Sequence, residues 1–128
     1  MANTTEAGLS KIAQVALTTR NLRNAVAFYR DVLGLKLMFE VSGMAFFEAA
    51  GIRLMVGQSE TDKPVQNDTI LYFDAGDWNA TETALERRGV KFERPADIVQ
   101  RAEGKEHALR FFKDPDGNML AIMGWRAA

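Results

Sequence analysis

Histidine is the residue type that most readily transfers protons near neutral pH, and this chain has one, His107. Glu48 and Tyr72 are the other candidates for proton transfer, Glu48 on condition that burial raises the proton affinity of its carboxylate. Each also has a structural interpretation, since a lone histidine beside a polar loop is commonly a surface residue. His107, Glu48 and Tyr72 are therefore candidate catalytic residues, and a mechanism that needs two histidines from one chain is excluded.

Asp114 and Asp116 resemble a catalytic pair of carboxylates, but they belong to the run Asp-Pro-Asp-Gly, which is typical of a tight turn. We therefore assign both aspartates to turn stabilisation. The sequence has no glycine-rich phosphate loop, no nucleophile elbow and no HExxH motif. The absence of cysteine excludes disulfides, thiolate metal sites and a cysteine nucleophile, and it suits a reducing compartment.

Length and charge indicate one domain that binds neither nucleic acid nor an anionic membrane. The chain has 128 residues, 47% of them hydrophobic, which is enough for one core. The net charge is −1, and the charges divide evenly, with six basic and six acidic residues in 1–62 and ten basic and eleven acidic in 63–128. We therefore expect no nucleic-acid partner and no membrane partner. The start lacks signal-peptide features, so we expect a cytoplasmic protein.

An internal repeat organises the elements that must position these residues. Extended runs begin at positions 15 and 71, an offset of 71 − 15 = 56 residues, and each leads to a residue type that caps helices, Asn21 or Asp77. A helical pattern follows each cap and ends at a glycine, Gly34 or Gly89. The spacing predicts equivalent helices over 22–33 and 78–88.

The two halves also end alike, because Gly51 and Gly117 each open a final strand, at an offset of 117 − 51 = 66 residues. Each half therefore reads as strand, helix and three strands. The predicted fold class is α+β, with two βαβββ modules forming a curved mixed sheet around a central cavity and helices outside. The expected boundaries are a flexible tail over 1–10 and a single domain over 11–126, with module 1 at about 11–58, a linker at 59–68 and module 2 at about 69–126.

The strand predictions are less uniform in module 2. We expect strands over 35–40 in module 1 and over 90–93 and 107–113 in module 2. The polar stretch 95–106 is predicted to be a mobile loop around a short strand near Ile98.

Three motifs resemble those of the vicinal-oxygen-chelate superfamily, which includes glyoxalases, bleomycin-resistance proteins and extradiol dioxygenases. The run FYRDVLGL (28–35) resembles the first-helix signature, LERRGVKF (85–92) the second helix and the following strand, and FFKDPDGNMLAI (111–122) the last hairpin. The resemblance spans about residues 11–125. It implies the fold and no single activity, because the motifs consist mostly of helix caps and turns.

In that family, four strand positions usually supply the ligands of a divalent metal. The resemblance places them at Gln14, Met55, Ile70 and Ala121, with Thr69 as the alternative to Ile70; the repeat offsets of 56 and 66 support the placement. A divalent site normally needs about three oxygen or nitrogen protein ligands, and only Gln14 is one here. We therefore expect no metal site of the family type and no cofactor.

Alternation along the strands predicts which residues line the cavity. Arg53 either pairs with Glu48, which we favour slightly, or binds the carboxylate of a ligand. Met55, Met119 and Met123 either fill core space or contact a ligand, and the sequence favours neither interpretation. The predicted ligand-binding residues are Gln14, Thr18, Arg53, Met55, Ile70, Tyr72, Met119, Ala121, Met123 and Trp125.

The sequence supports three hypotheses for function. The first is a metal-independent binding protein for a small, largely apolar molecule that can carry an acidic or carbonyl group near Arg53 or Gln14. The second is a metal-independent lyase or isomerase that uses His107, Glu48 or Tyr72. The third is a glyoxalase-type metalloenzyme with a displaced metal site. The resemblance also implies a homodimer, with modules paired within one chain or exchanged between chains.

Overall fold

Two four-stranded sheets with one helical segment each make up the computed structural model, which describes residues 7–61 and 67–128. The elements of module 1 are β1 (Gln14–Thr19), α1 (Leu22–Ala27), β2 (Lys36–Val41), β3 (Met44–Ala49) and β4 (Ile52–Gln58). The elements of module 2 are β5 (Leu71–Asp74), α2 (Trp78–Arg87), β6 (Asp97–Ala102), β7 (Lys105–Lys113) and β8 (Met119–Ala127). In the described residues, no helix has the length and apolar character needed to cross a bilayer.

Strand order confirms the predicted repeat. The first sheet has the order β1-β4-β3-β2 and the second has the order β5-β8-β7-β6. In each sheet the opening strand is parallel to the closing strand, and the other neighbours are antiparallel. Ala16 pairs with Met55, and Tyr72 pairs with Ala121, so the offsets of 56 and 66 relate equivalent register positions. The fold is α+β with two βαβββ modules.

The two helices begin at the predicted caps. The Asn21 side chain accepts a hydrogen bond from the backbone N–H of Asn24, and the Asp77 side chain accepts one from Ala80, so each cap satisfies an N–H of the first turn. Beyond Ala27 the first helix widens into a π-helix over Phe28–Val32, which the sequence analysis did not anticipate. Both helical segments end before a glycine with positive φ, as predicted.

The helices cover one face of each sheet, which we call the helix face, and the core lies there. Alternate strand side chains pack against the helices and are almost fully buried. Tyr29 and Phe47 have 1% and 0% exposure in module 1, and Trp78 and Phe112 have 3% and 0% in module 2. The remaining strand side chains project from the opposite face, which we call the open face.

One strand expected in module 2 is absent. Residues 90–93 form no strand, because Val90 still bonds to the end of α2 and only the N–H of Glu93 reaches β7, at the carbonyl of Phe111. The short strand expected near Ile98 is present as β6, but much of the surrounding stretch 95–106, expected to be a loop, also belongs to β6, a two-residue turn and the start of β7. Gly104 allows this turn, because its φ of 68° is a conformation that favours glycine.

The predicted tail and linker fall partly outside the described residues, at 1–6 and 62–66. Residues 7–10 are exposed and have no regular secondary structure. Within 67–68, Asn67 donates to the carbonyl of Thr18 and to the side chain of Asn118, so it joins the edge of β1 to module 2.

A polar cluster, which we call the latch, connects the modules. The Asp114 carboxylate accepts hydrogen bonds from the Tyr29 hydroxyl at 2.8 Å, from the Asn118 backbone and side chain at 2.8 Å each, and from the Asp116 backbone at 2.9 Å. Asp116 in turn accepts the Thr19 hydroxyl at 2.6 Å. The two aspartates therefore stabilise the turn, as predicted, and also hold β1 and the first helical segment of module 1.

Tyr29 is the most strongly perturbed titratable group of the latch. Burial raises its pKa well above the usual value of 10, and the charge of Asp114 and the hydrogen bond to it raise the pKa further. The phenol therefore stays protonated and remains a donor to Asp114 wherever the protein is folded. This neutral donor to a buried carboxylate gives the module junction a strong directional contact.

Candidate functional site

The open faces carry side chains that the core does not use. Several large apolar residues remain exposed there, among them Phe39 at 41%, Tyr72 at 46% and Trp125 at 40%. Clusters of exposed apolar side chains commonly mark binding surfaces, whereas scattered ones carry no such meaning. These three belong to aromatic clusters on the two open faces, so the open faces are the candidate functional surface.

The open face of module 2 contains a cavity of about 580 Å³. His107 and Trp125 are cross-strand partners on β7 and β8, and their rings stack with centroids 4.9 Å apart. Tyr72 approaches Phe111 edge-on, with centroids 5.9 Å apart. The cavity is lined by Tyr72, Asp74, Gly76, His107, Met123, Gly124 and Trp125. It therefore combines aromatic walls with an imidazole, a phenol and a carboxylate.

The open face of module 1 contains a second cavity, of about 510 Å³, with a different lining. Its walls are the small or flexible residues of β1, β3 and β4 together with the β2–β3 turn. The lining residues are Ala16, Leu17, Thr18, Ser42, Gly43, Met44, Met55, Gly57, Gln58 and Glu60. No histidine or aromatic side chain lines it, so this cavity offers shape and apolar contact and no acid–base pair.

A third cavity, of about 570 Å³, lies between the modules. Val15 and Leu54 of module 1 and Leu71 and Phe73 of module 2 form apolar walls. Glu48 lies at this junction and not beside His107, so these two catalytic candidates belong to different places in the fold. The junction cavity shares only Tyr72 and Asp74 with the cavity on module 2.

Arg53 does not form the internal ion pair that the sequence analysis favoured. Glu48 lies opposite Arg53 in the β3–β4 register, but its carboxylate accepts the backbone N–H of Gly51 at 2.5 Å. The Arg53 guanidinium lies instead over the rings of Phe46 and Phe39, at 5.5 and 5.8 Å from their centroids. The β3–β4 turn therefore supplies a backbone N–H to the Glu48 carboxylate, for which the Arg53 guanidinium was the expected partner.

The four positions that hold metal in the family resemblance do not fit a divalent ion here. They carry the amide of Gln14, the thioether of Met55, the hydrocarbon of Ile70 and the methyl group of Ala121. Zinc, nickel, manganese and iron in such sites take imidazole and carboxylate ligands, and only the amide supplies a hard donor. Among the described residues, no three histidine, aspartate or glutamate side chains are grouped closely enough to hold an ion.

The structure distributes the ten predicted ligand-binding residues over several places. Tyr72, Met123 and Trp125 line the cavity on module 2, and Thr18 and Met55 line the cavity on module 1. Ala121 is fully buried between its neighbours on β5 and β7. Outside these cavities lie Gln14, Arg53, Ile70, Met119 and Ala121.

Sequence reasoning missed four residues of the open faces. Strict alternation would have found three of them. Phe46 lies on the same face as Glu48, two residues along β3, and Asp74 lies on the same face as Tyr72, two residues along β5. Phe111 pairs with Ala121, which also pairs with Tyr72, so all three share one face. Phe39 has no such signal. A β-bulge between Leu37 and Phe39 shifts the register of β2 and turns Phe39 onto Phe46.

Comparisons with known proteins agree with this architecture. A curated relative, the uncharacterized protein YraH of Bacillus subtilis (strain 168), is 27% identical over 127 residues, with coverage of 88% of this chain and 96% of YraH. The structure of an integron cassette protein from the mobile metagenome of V. cholerae has a TM-score of 0.74 at 22% identity, covering 93% of this chain and 98% of that one.

The structure of lactoylglutathione lyase from Agrobacterium tumefaciens is similar as well, with a TM-score of 0.71 at 24% identity and coverage of 91% of this chain and 95% of that one. Identities at this level establish the fold and leave the activity open. A family profile matches residues 11–122, nearly the whole chain. This chain therefore belongs to the Glyoxalase/Bleomycin resistance protein/Dioxygenase superfamily.

Proposed function

We propose that this protein binds a small, largely apolar molecule on its open faces without a metal ion of the family type. One observation carries the proposal: both open faces hold cavities of about 500–600 Å³ with apolar or aromatic residues in their walls. Cavities of this size and character are typical of small-molecule sites. The hydrocarbon and thioether groups at the family's metal positions support a role in binding without that ion.

A cavity-filling variant tests this proposal. Met123→Trp should occupy the cavity on module 2, whereas Val99→Trp adds the same ring at a position that is 54% exposed and lines none of the three cavities. A thermal-shift screen of neutral apolar compounds should identify ligands that stabilise the wild type. A ligand at 100 times its dissociation constant adds about 2.7 kcal/mol to the folded state.

We expect the Met123→Trp variant to lose this stabilisation and the Val99→Trp variant to keep it. Each variant is first melted alone, so that a change in fold is distinguished from a filled cavity. If no apolar compound stabilises the wild type, the proposed role is rejected. If both variants respond as the wild type does, binding in the cavity on module 2 is rejected and the cavity on module 1 becomes the site to test. Native mass spectrometry of untreated protein would then identify any copurifying molecule directly.

A metal-independent lyase or isomerase is a second candidate, and one observation favours it. His107 and Tyr72 line the same cavity together with Asp74, so a bound substrate would have an imidazole, a phenol and a carboxylate within one space. His107→Gln keeps a polar side chain and removes the proton-transfer group. A catalytic role predicts loss of turnover with retained binding, whereas a stacking role with Trp125 predicts weaker binding.

The homodimer and the cytoplasmic setting belong to the same proposal. The open faces of one chain leave Phe39, Tyr72 and Trp125 at least 40% exposed, and a second copy would cover such surface. The chain has no cysteine, which is compatible with a reducing compartment. Sedimentation equilibrium would distinguish a dimer from a monomer.

A further inference from the structure

The guanidinium of Arg53 rests on an aromatic platform, which we define as the stacked rings of Phe39 and Phe46. The two centroids are 4.6 Å apart, and the central carbon of the guanidinium is 5.8 and 5.5 Å from them. Aromatic rings attract a guanidinium through their faces, and its N–H groups, which lie in its own plane, stay available for hydrogen bonds. The platform therefore presents a positioned cation on an apolar surface.

The neighbours of Arg53 leave this charge without a counter-ion. Arg53 is exposed, and its guanidinium has no ion pair and no hydrogen bond within residues 7–61 and 67–128. Glu48, the adjacent carboxylate, accepts the backbone N–H of Gly51 with one of its oxygens and forms no ion pair with Arg53. Gln14, opposite Arg53 on β1, is exposed and offers a side-chain amide on the same face. Two adjacent side chains on this face therefore carry N–H donors that bind no acceptor among residues 7–61 and 67–128.

Module 2 has a similar arrangement that is already neutralised. Arg94 lies 5.0 Å from the centroid of Phe111, but its guanidinium is bound to Asp97 at 2.7 Å. The position of module 2 that corresponds to Arg53 through the offset of 66 residues is Met119. A free guanidinium over aromatic rings is thus specific to module 1 among the described residues and is no general feature of the repeat.

Distances along β4 define how large a ligand this face accepts. Side chains two residues apart on a strand are about 6.6 Å apart, so Met55 lies one such step from Arg53 and Gly57 lies two, about 13 Å away. Met55 and Gly57 both line the cavity of about 510 Å³. A side-chain carbon added at Gly57 would fit at ordinary van der Waals distance, 3.9 Å from Met44 and Met55, and a larger side chain would take up space in this cavity.

We infer that the open face of module 1 binds an aromatic monocarboxylate. The carboxylate binds the guanidinium of Arg53 through two hydrogen bonds and takes a further one from Gln14, and the aromatic body extends over Met55 toward Gly57. Phe39 is a positioning residue, because its ring holds the guanidinium in place and forms no ion pair or hydrogen bond with it. The inference rests on the proposed binding function and specifies the ligand class for one of its two faces.

Biphenyl-4-carboxylate and its neutral isostere biphenyl-4-carboxamide test the carboxylate site by isothermal titration calorimetry. The wild type should bind the acid about tenfold or more tightly than the amide, because hydrogen bonds to a charged group exceed neutral ones in strength. Arg53→Met should lower the affinity for the acid to that for the amide. Arg101→Met removes the same charge from an exposed position on β6 and should leave both affinities unchanged.

Gly57→Val tests the direction of the aromatic body. The added side chain should weaken binding of biphenyl-4-carboxylate by about tenfold and leave the shorter benzoate unaffected. Equal affinity for acid and amide in the wild type, or an unchanged affinity for the acid in Arg53→Met, overturns the inference while the binding function stands. If neither biphenyl compound nor any neutral apolar compound binds, both the inference and the binding function are rejected.

Discussion

Replacing Tyr29 by phenylalanine should destabilise the protein by about 2 kcal/mol at pH 8. The phenol is 1% exposed and donates to the Asp114 carboxylate at 2.8 Å, and hydrogen bonds to charged groups contribute about 1.5–3 kcal/mol. Asp114 keeps its hydrogen bonds from Asn118 and Asp116, so the variant loses one donor and not the whole latch. For a chain of this length the melting temperature should fall by about 6–8 °C.

The deficit should shrink at alkaline pH. Burial raises the pKa of Tyr29 in the folded protein, whereas the unfolded chain ionises its tyrosine at about pH 10. The stability that the neutral phenol contributes is fully present below pH 10 and is lost as the pH rises further, because only the unfolded state then releases the proton. The loss reaches about 1.4 kcal/mol at pH 11, which reduces the deficit of Tyr29→Phe to about 0.6 kcal/mol.

Urea unfolding at pH 8 and pH 11, followed by the fluorescence of the buried Trp78, measures both quantities. The matched control is Tyr72→Phe, which removes a hydroxyl from a residue that is 46% exposed and should change stability by less than about 0.5 kcal/mol at pH 8. A deficit for Tyr29→Phe that is equal at both pH values, or a deficit at pH 8 no larger than that of the control, would refute this account of the latch.

Three further outcomes are expected. Elemental analysis of purified protein should find zinc, nickel, manganese and iron well below one ion per chain; a stoichiometric ion would establish a displaced site. A ligand on module 2 should quench the fluorescence of the exposed Trp125 and leave that of Trp78 unchanged. The Trp125→Phe variant should therefore show no quenching on ligand binding, and quenching that persists in this variant would place the ligand elsewhere. Gly89→Ala should lower the free energy of unfolding by about 1–2 kcal/mol, because the φ of 96° at this position is unfavourable for a residue with a Cβ. Gly8→Ala should leave it unchanged in the same urea titration. Equal effects of the two substitutions would show that the backbone conformation at Gly89 is not the cause.

The parts of the fold that depend on local chemistry could be predicted. Asn21 and Asp77 cap helices because their short side chains reach an N–H of the first turn, whatever surrounds them. The repeat offsets predicted which positions of the two modules are equivalent, and the parallel pairs Ala16–Met55 and Tyr72–Ala121 are related by these offsets. The latch was recognised only in part, since the Asp-Pro-Asp-Gly run predicts a turn and says nothing of its partner Tyr29.

The parts that depend on competition between distant groups could not be predicted. Glu48 had two partners within reach, and the turn N–H of Gly51, rather than Arg53, holds it. Alternation along β2 would have assigned Phe39 to the helix face together with Leu37, but the bulge between them places Phe39 on the open face. The separation of His107 from Glu48 follows from how the modules pack, which no pattern within one module reports.

The latch has a consequence for synthesis of the chain. All strand pairs of module 1 form within residues 14–58, whereas the hydrogen bonds from Tyr29 and Thr19 to the turn span 85 and 97 residues. All residues of the first sheet are therefore synthesised before Asp114, so the Tyr29 phenol lacks its acceptor until the turn of module 2 has been made. A chain that ends before Asp114 would lack this acceptor and the turn that holds β1 and the first helical segment.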